Sequence, residues 1–254
     1  MISEWMVDFR VHPDQENGMK RIIAWVSLVC VGMPVPAQGQ SAVGQIIHVN
    51  TSDTARYLEW AEESMPIIVG DSQLPTSGGV CVPSFGAEEE GDLYVYTFMT
   101  DFESALAIDL TSAVPAREIA KIAPHRTIKA RDLWSNVRRP ANLTINAGDA
   151  YSMLMTVTST NQPDMYLTQI DALEAGLRDA GHGDITFVVS QVMTGAYRNH
   201  LNVRLIAPTA ERLGAAMDTI RTATWARNMI SNLASIRTVA QQMTTNCHSF
   251  VVTQ

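Results

Sequence analysis

The chain has 254 residues, of which 46% are hydrophobic and 17% charged, and its formal net charge is −8. That apolar content suits a packed core and excludes a disordered chain. The acidic balance excludes an extended nucleic-acid groove, where affinity comes mainly from Lys and Arg on phosphates.

Residues 1–18 contain Glu4, Asp8, Asp14 and Glu16, acidic groups that sit oddly ahead of a basic and then apolar stretch. They are expected to be an upstream extension, with translation starting at Met19. Residues 19–37 read as a secretory signal peptide: Lys20 and Arg21, an apolar run from Ile22 to Val31, then Val35-Pro36-Ala37 for cleavage before Gln38. The run is shorter than the roughly 20 residues that span a bilayer. A buried helix or strand is the other reading of it. The expectation is a periplasmic or secreted protein with no stable membrane span after cleavage.

The first copy of a pattern begins at residue 43. Gln45 to Asn50 is a strand, and Asp53 caps a helix through Tyr57, Leu58, Ala61 and Met65. Val80-Cys81-Val82 starts a poorer strand. Glu88 to Gly91 is a polar turn, and Leu93 to Phe98 a strong strand. Asp101 caps a second helix through Leu106 and Leu110 to Ile122, with a break at Pro115. Thr127 to Trp134 is the last strand.

Residues 138–149 read as a linker between a unit at 43–137 and a unit at 150–250. In the second unit, Tyr151 to Thr158 is a strand and Pro163 to Ala180 a helix stopped by Gly181. Ile185 to Met193 is a strand, 195–199 a turn, and His200 to Ile206 an alternating strand. Thr209 caps a long helix to about Leu233, and Thr238 to Met243 is a last strand. Tyr57-Leu58 matches Tyr166-Leu167, and both halves read β-α-β-β-α-β.

That order is the ferredoxin-like arrangement, whose sheet needs a partner for its open face. Over residues 43–250 the chain resembles the dimeric α/β-barrel superfamily, with its antibiotic-biosynthesis monooxygenase-like, stress-responsive A/B-barrel and NIPSNAP-like members. The resemblance implies an α+β fold with two tandem ferredoxin-like units forming one barrel in a single chain. It also implies a ligand-sized space and activities that include cofactor-independent oxygenation and haem degradation. Haem-degrading members carry an Asn near the end of the first strand and a His on the second helix. Asn50 matches the first, but 101–123 and 209–233 hold no His.

Alternation assigns faces within such a barrel. Ile46, His48 and Asn50 face inward, as do Tyr94, Tyr96 and Phe98, and His200, Asn202, Arg204 and Ile206. His48 is the candidate base, Asn50 its orienting partner and Arg204 the group that stabilises an anion. Tyr94, Tyr96, Phe98, His200 and Asn202 are candidate ligand contacts. The competing readings are a hydrogen-bonded strand-end His48 and an ion-paired Arg204. No cofactor and no metal is expected, since CxxC, Cys/His zinc spacing, GxGxxG, the Walker loop, HExxH and GxSxG are all missing. The expected partner is a small, partly apolar molecule. The alternative is a structural or interaction protein whose own side chains fill the barrel.

Removal of Cys30 with the signal leaves Cys81 and Cys247, either bonded or as two buried thiols. The resemblance would bring the second strand of one unit beside the last strand of the other, where the two sulfurs could meet.

Overall fold

Strand Val43–Thr51 (β1) alternates between two apolar environments, and this sets the architecture. Ile46 faces one cluster with Tyr94 and Tyr96, while Val49 faces another with Leu93 and Val95. A strand apolar on both faces must be covered on both. In the computed structural model, which describes residues 42–74, 76–140 and 143–252, closure of the sheet covers one face and helices cover the other. The expected extension at 1–18 and signal peptide at 19–37 lie outside the described residues.

The other strands are Thr76–Phe85 (β2), Asp92–Met99 (β3), Arg126–Arg138 (β4), Ala150–Thr160 (β5), Thr186–Val192 (β6), Leu201–Ala207 (β7) and Arg237–Val252 (β8). They form a closed antiparallel barrel in the order β1-β3-β2-β8-β5-β7-β6-β4. Closure leaves no sheet edge to pair with another chain. The helices are Thr54–Ser72 (α1), Phe102–Ala107 (α2), Ala113–Ala120 (α3), Pro163–Asp179 (α4), Ala210–Thr222 (α5) and Thr224–Ile236 (α6). The fold is α+β. No helix among the described residues is long and apolar enough to cross a membrane.

Asp53, Asp101 and Thr209 cap α1, α2 and α5, each accepting a hydrogen bond from the backbone N–H three residues on. Three apolar layers result. Leu173, Leu177, Val203 and Leu213 pack between α4–α6 and the second half of the sheet. Tyr57, Ala61, Leu93 and Val95 do the same under α1 in the first half. Ile46, Tyr96, Trp134, Met155 and Met243 fill the barrel itself.

Three expected elements differ. The helix from Asp101 to Ile122 is two helices, and the break falls at residues 108–112, ahead of Pro115. Pro115 sits in the first turn of α3, where its missing N–H costs no intrahelical bond. The helix after Thr209 breaks at Ala223, whose backbone is extended, and Trp225 then packs against Gly176 of α4. Strand β8 continues nine residues past Met243 to Val252, because its second half pairs with β2 as well as β5.

That pairing sets Cys81 opposite Cys247 in register, Cα atoms 4.0 Å apart, and the two sulfurs are bonded.

Candidate functional site

Three cavities are candidates; His48 and Tyr94 line one, Tyr96, Phe98 and Arg204 a second, and the third holds none of the expected site residues. The expectation of one internal space shared by His48, Tyr96 and Arg204 is not met. Large side chains fill the barrel centre, and Ile46 lies between its two ends.

At one end, a cavity of about 220 Å³ is lined by His48, Asp92, Tyr94, Lys129, Asp132 and Tyr197, among others. His48 Nε2 lies 3.2 Å from Asp132 Oδ2, within ion-pair distance but outside hydrogen-bonding alignment. Tyr94 sets its ring edge-on to the imidazole, with centroids 4.7 Å apart. Burial holds the His48 pKa below its usual value against the pull of Asp132, and burial raises that of Asp132. The favoured imidazole is therefore neutral with a carboxylate behind it, the state a general base requires. Burial and the nearby Asp92 and Glu88 push the Tyr94 phenol well up.

Asn50 is not the partner of His48. It lies beyond a bulge between His48 and Val49, and its amide donates to Asp92 Oδ1 and the Glu90 carbonyl, both at 2.9 Å. Burial tends to raise the Asp92 pKa, but donors from Asn50, the Glu89 N–H and Lys129 together hold it low. The partner His48 does have is Asp132, which shares a face of β4 with Trp134.

At the other end, a cavity of about 240 Å³ is lined by Tyr96, Phe98, Asn136, Arg139, Val188, Arg204 and Ile206, among others. Arg204 is only 7% exposed. Its guanidinium donates to Asn136 Oδ1 at 3.0 Å and to Ser190 Oγ, and lies 5.2 Å from the Phe98 ring and 5.6 Å from that of Trp134. Burial lowers its pKa to about 10, so it remains a cation at neutral pH. The Tyr96 and Tyr151 hydroxyls are 3.1 Å apart beside it.

Two expected ligand contacts fall elsewhere. His200 lies outside β7, at the end of a turn where Gly195 and Asn199 take positive φ, and its ring packs edge-on to Tyr197. Asn202 is fully buried with both amide atoms unpartnered, and lines none of the three cavities.

The third cavity lies outside the barrel, between the first half of the sheet and α1–α3. It is about 320 Å³, lined by Ile47, Trp60, Met65, Val69, Val95, Ile108 and Ile119, with Gln45, Arg126 and Arg131 among its polar groups. The break between α2 and α3 leaves it. Two short helices cover less of the sheet than α5 and α6 do in the other half. Sequence reasoning missed this cavity because it read one helix there.

Among the described residues, no three His, Cys, Asp or Glu side chains cluster to hold a metal. The outer cavity has no His, Cys or Tyr in its lining; Met65 is the one residue there of a type that ligates haem iron, and it lacks the His that accompanies such a Met.

No family model matches the chain, and no curated protein matches it. Solved structures do share its fold. A monooxygenase candidate from Lactobacillus acidophilus aligns with TM-score 0.54 at 10% identity, over 84% of this chain and 96% of that one. An anthrone oxidase-like protein gives 0.56 at 13%, over 85% and 98%. A dye-decolorizing peroxidase from Bacteroides thetaiotaomicron gives 0.54 at 8%, over 83% and 94%. At such identities the likeness is one of fold: a dimeric-type α/β barrel.

Proposed function

We propose that this chain binds a small, largely apolar molecule in the cavity between α1–α3 and the outer face of the sheet, as a barrel of the oxidative-enzyme type. The observation that carries the reading is that cavity, whose largely apolar lining also holds polar groups, Gln45, Asp71, Asp109, Arg126 and Arg131 among them. The monooxygenase and anthrone oxidase-like neighbours support the oxidative-enzyme type of barrel.

The test is a titration of the chain with the neutral fluorophore N-phenyl-1-naphthylamine. Saturable binding is expected, lost in Val95→Phe, whose larger side chain would fill the cavity, and kept in Arg204→Met. Binding that is unsaturable, or unaffected by Val95→Phe, overturns the proposal.

A second reading rests on the His48–Asp132 pair. A neutral imidazole backed by a carboxylate can take a proton from a phenol or carbon acid, and the carboxylate stabilises the resulting imidazolium. His48 would be the base and Asp132, rather than Asn50, its support.

The chain is taken to be two fused ferredoxin-like units. Supporting this are the strand orders β4-β1-β3-β2 and β8-β5-β7-β6 within the two halves of the barrel, and a Tyr–Arg pair repeated in each. Export to the periplasm or beyond is part of the same proposal, supported by a Cys81–Cys247 bond of the kind that persists in oxidising compartments.

A further inference from the structure

Arg204 poses an electrostatic problem that its neighbours do not solve. Among the described residues it makes no ion pair, although it is 7% exposed. A buried charge is ordinarily paired, because desolvating it alone is expensive. Its hydrogen-bond acceptors are the neutral oxygens of Asn136 and Ser190. The Phe98 and Trp134 rings offer a further, weaker compensation. Its Nε is buried with no acceptor, and the Trp134 Nε1 nearby is in the same state. Both unused groups are donors. An exposed second cation, Arg139, lines the same cavity and adds to the positive potential there.

We infer that the Arg204 end of the barrel is an anion site, and that it takes a small monoanion with an apolar body, such as an aromatic carboxylate. The charge state follows from the count of buried cations. One buried guanidinium balances one negative charge, and a dianion such as phosphate would bring its second charge into a wall that includes Phe98, Val188 and Ile206. The apolar body follows from the same wall. The carboxylate fits a planar guanidinium, whose fork of N–H donors matches its two oxygens. This site lies inside the barrel and is separate from the outer cavity, so it stands whether or not that cavity binds a ligand.

The experiment compares sodium benzoate with neutral benzamide on the full chain, following thermal unfolding and tryptophan fluorescence at low ionic strength. Benzoate is expected to raise the melting temperature in a saturable way and benzamide to leave it unchanged. Loss of the charged contact in Arg204→Met should weaken benzoate binding about tenfold to a hundredfold, with Arg204→Lys in between. Should Arg204→Met fail to fold, Arg139→Gln replaces it and is expected to weaken benzoate binding more at low salt than at high salt. Equal responses to benzoate and benzamide, no response to either, or an undiminished benzoate response in the variant that folds, each overturns the inference.

Discussion

His48 and Asp132 face each other from neighbouring strands, Nε2 to Oδ2 at 3.2 Å, at one end of a closed barrel. Burial works against the charged form of both. For His48, with its folded pKa lowered, the unfolded chain takes up a proton first as pH falls through about 6.5. The native state loses stability from there down to the lowered folded value. For Asp132 the sign is opposite: a raised carboxyl penalises the native state above its folded pKa and relieves it as pH falls through that value. Replacing the imidazole removes its effect and keeps Asp132, so a comparison with wild type at pH 7.5 and 5.5 isolates the His48 effect. Urea unfolding of wild type and His48→Asn at the two pH values should show the difference moving in favour of the variant at pH 5.5. In Asp132→Asn the imidazole loses the group that favours its charge, so its pKa, followed by NMR titration, should fall further.

Gly195 stands directly against that pair. Its φ is +82°, and a Cβ built there would lie 1.8 Å from Asp132 Oδ1. Gly181 has a similar φ of +90° with open space around it. Gly181→Ala should therefore cost only the backbone preference, about 1–2 kcal/mol. Gly195→Ala should cost more, because the buried carboxylate must also move, and it should displace the His48 titration. Chemical denaturation of both variants makes the comparison. Equal losses would show that the carboxylate adjusts freely.

The faces of the barrel were legible where a strand alternates without interruption. Ile46 with Tyr94 and Tyr96 points inward and Val49 with Leu93 points outward, as period-two spacing requires. Legibility ended where tertiary contacts overrode local pattern. Asn50 lies past a bulge and turns to Asp92. Leu106 reads as a core position of one helix but is 68% exposed at the end of α2. The middle of β8, Thr244 to Asn246, is polar in sequence and is extended because β2 and β5 both pair with it. Asp132 lies on the same face of β4 as Trp134, but no face was assigned to that strand from the sequence. Its charge made an outward position the natural reading, since carboxylates are rarely buried without a partner.

The Cys81–Cys247 bond closes a separation of 166 residues and joins β2 to β8. Cross-linking so long a segment restricts the unfolded chain, and its loss should cost about 2–5 kcal/mol. Two perturbations separate the cross-link from packing. Reduction of the wild type with dithiothreitol leaves both thiols in place, whereas Cys81→Ala with Cys247→Ala also removes two buried sulfurs. Urea midpoints should fall in the order oxidised, reduced, double variant. A reduced protein as stable as the oxidised one would mean that the barrel seam is held by its strand pairing alone.

One repeated Tyr–Arg pair tests whether the two halves are built alike. Tyr57 on α1 is fully buried, and its hydroxyl accepts a hydrogen bond from Arg126 at 3.0 Å. Tyr166 on α4 is fully buried too, and Arg237 donates to it at 2.9 Å. Both arginines begin the strand that comes after the helices of their half, and each also lies over an aromatic ring, of Trp60 and of Tyr166. A hydrogen bond to a charged donor contributes about 1.5–3 kcal/mol, so Tyr57→Phe and Tyr166→Phe should each cost about that much. The sites share no partner, so the double variant should lose the sum of the two. If Tyr166→Phe is costly and Tyr57→Phe is not, the cavity under α1–α3 has loosened the first half enough that Arg126 finds water when the hydroxyl is removed.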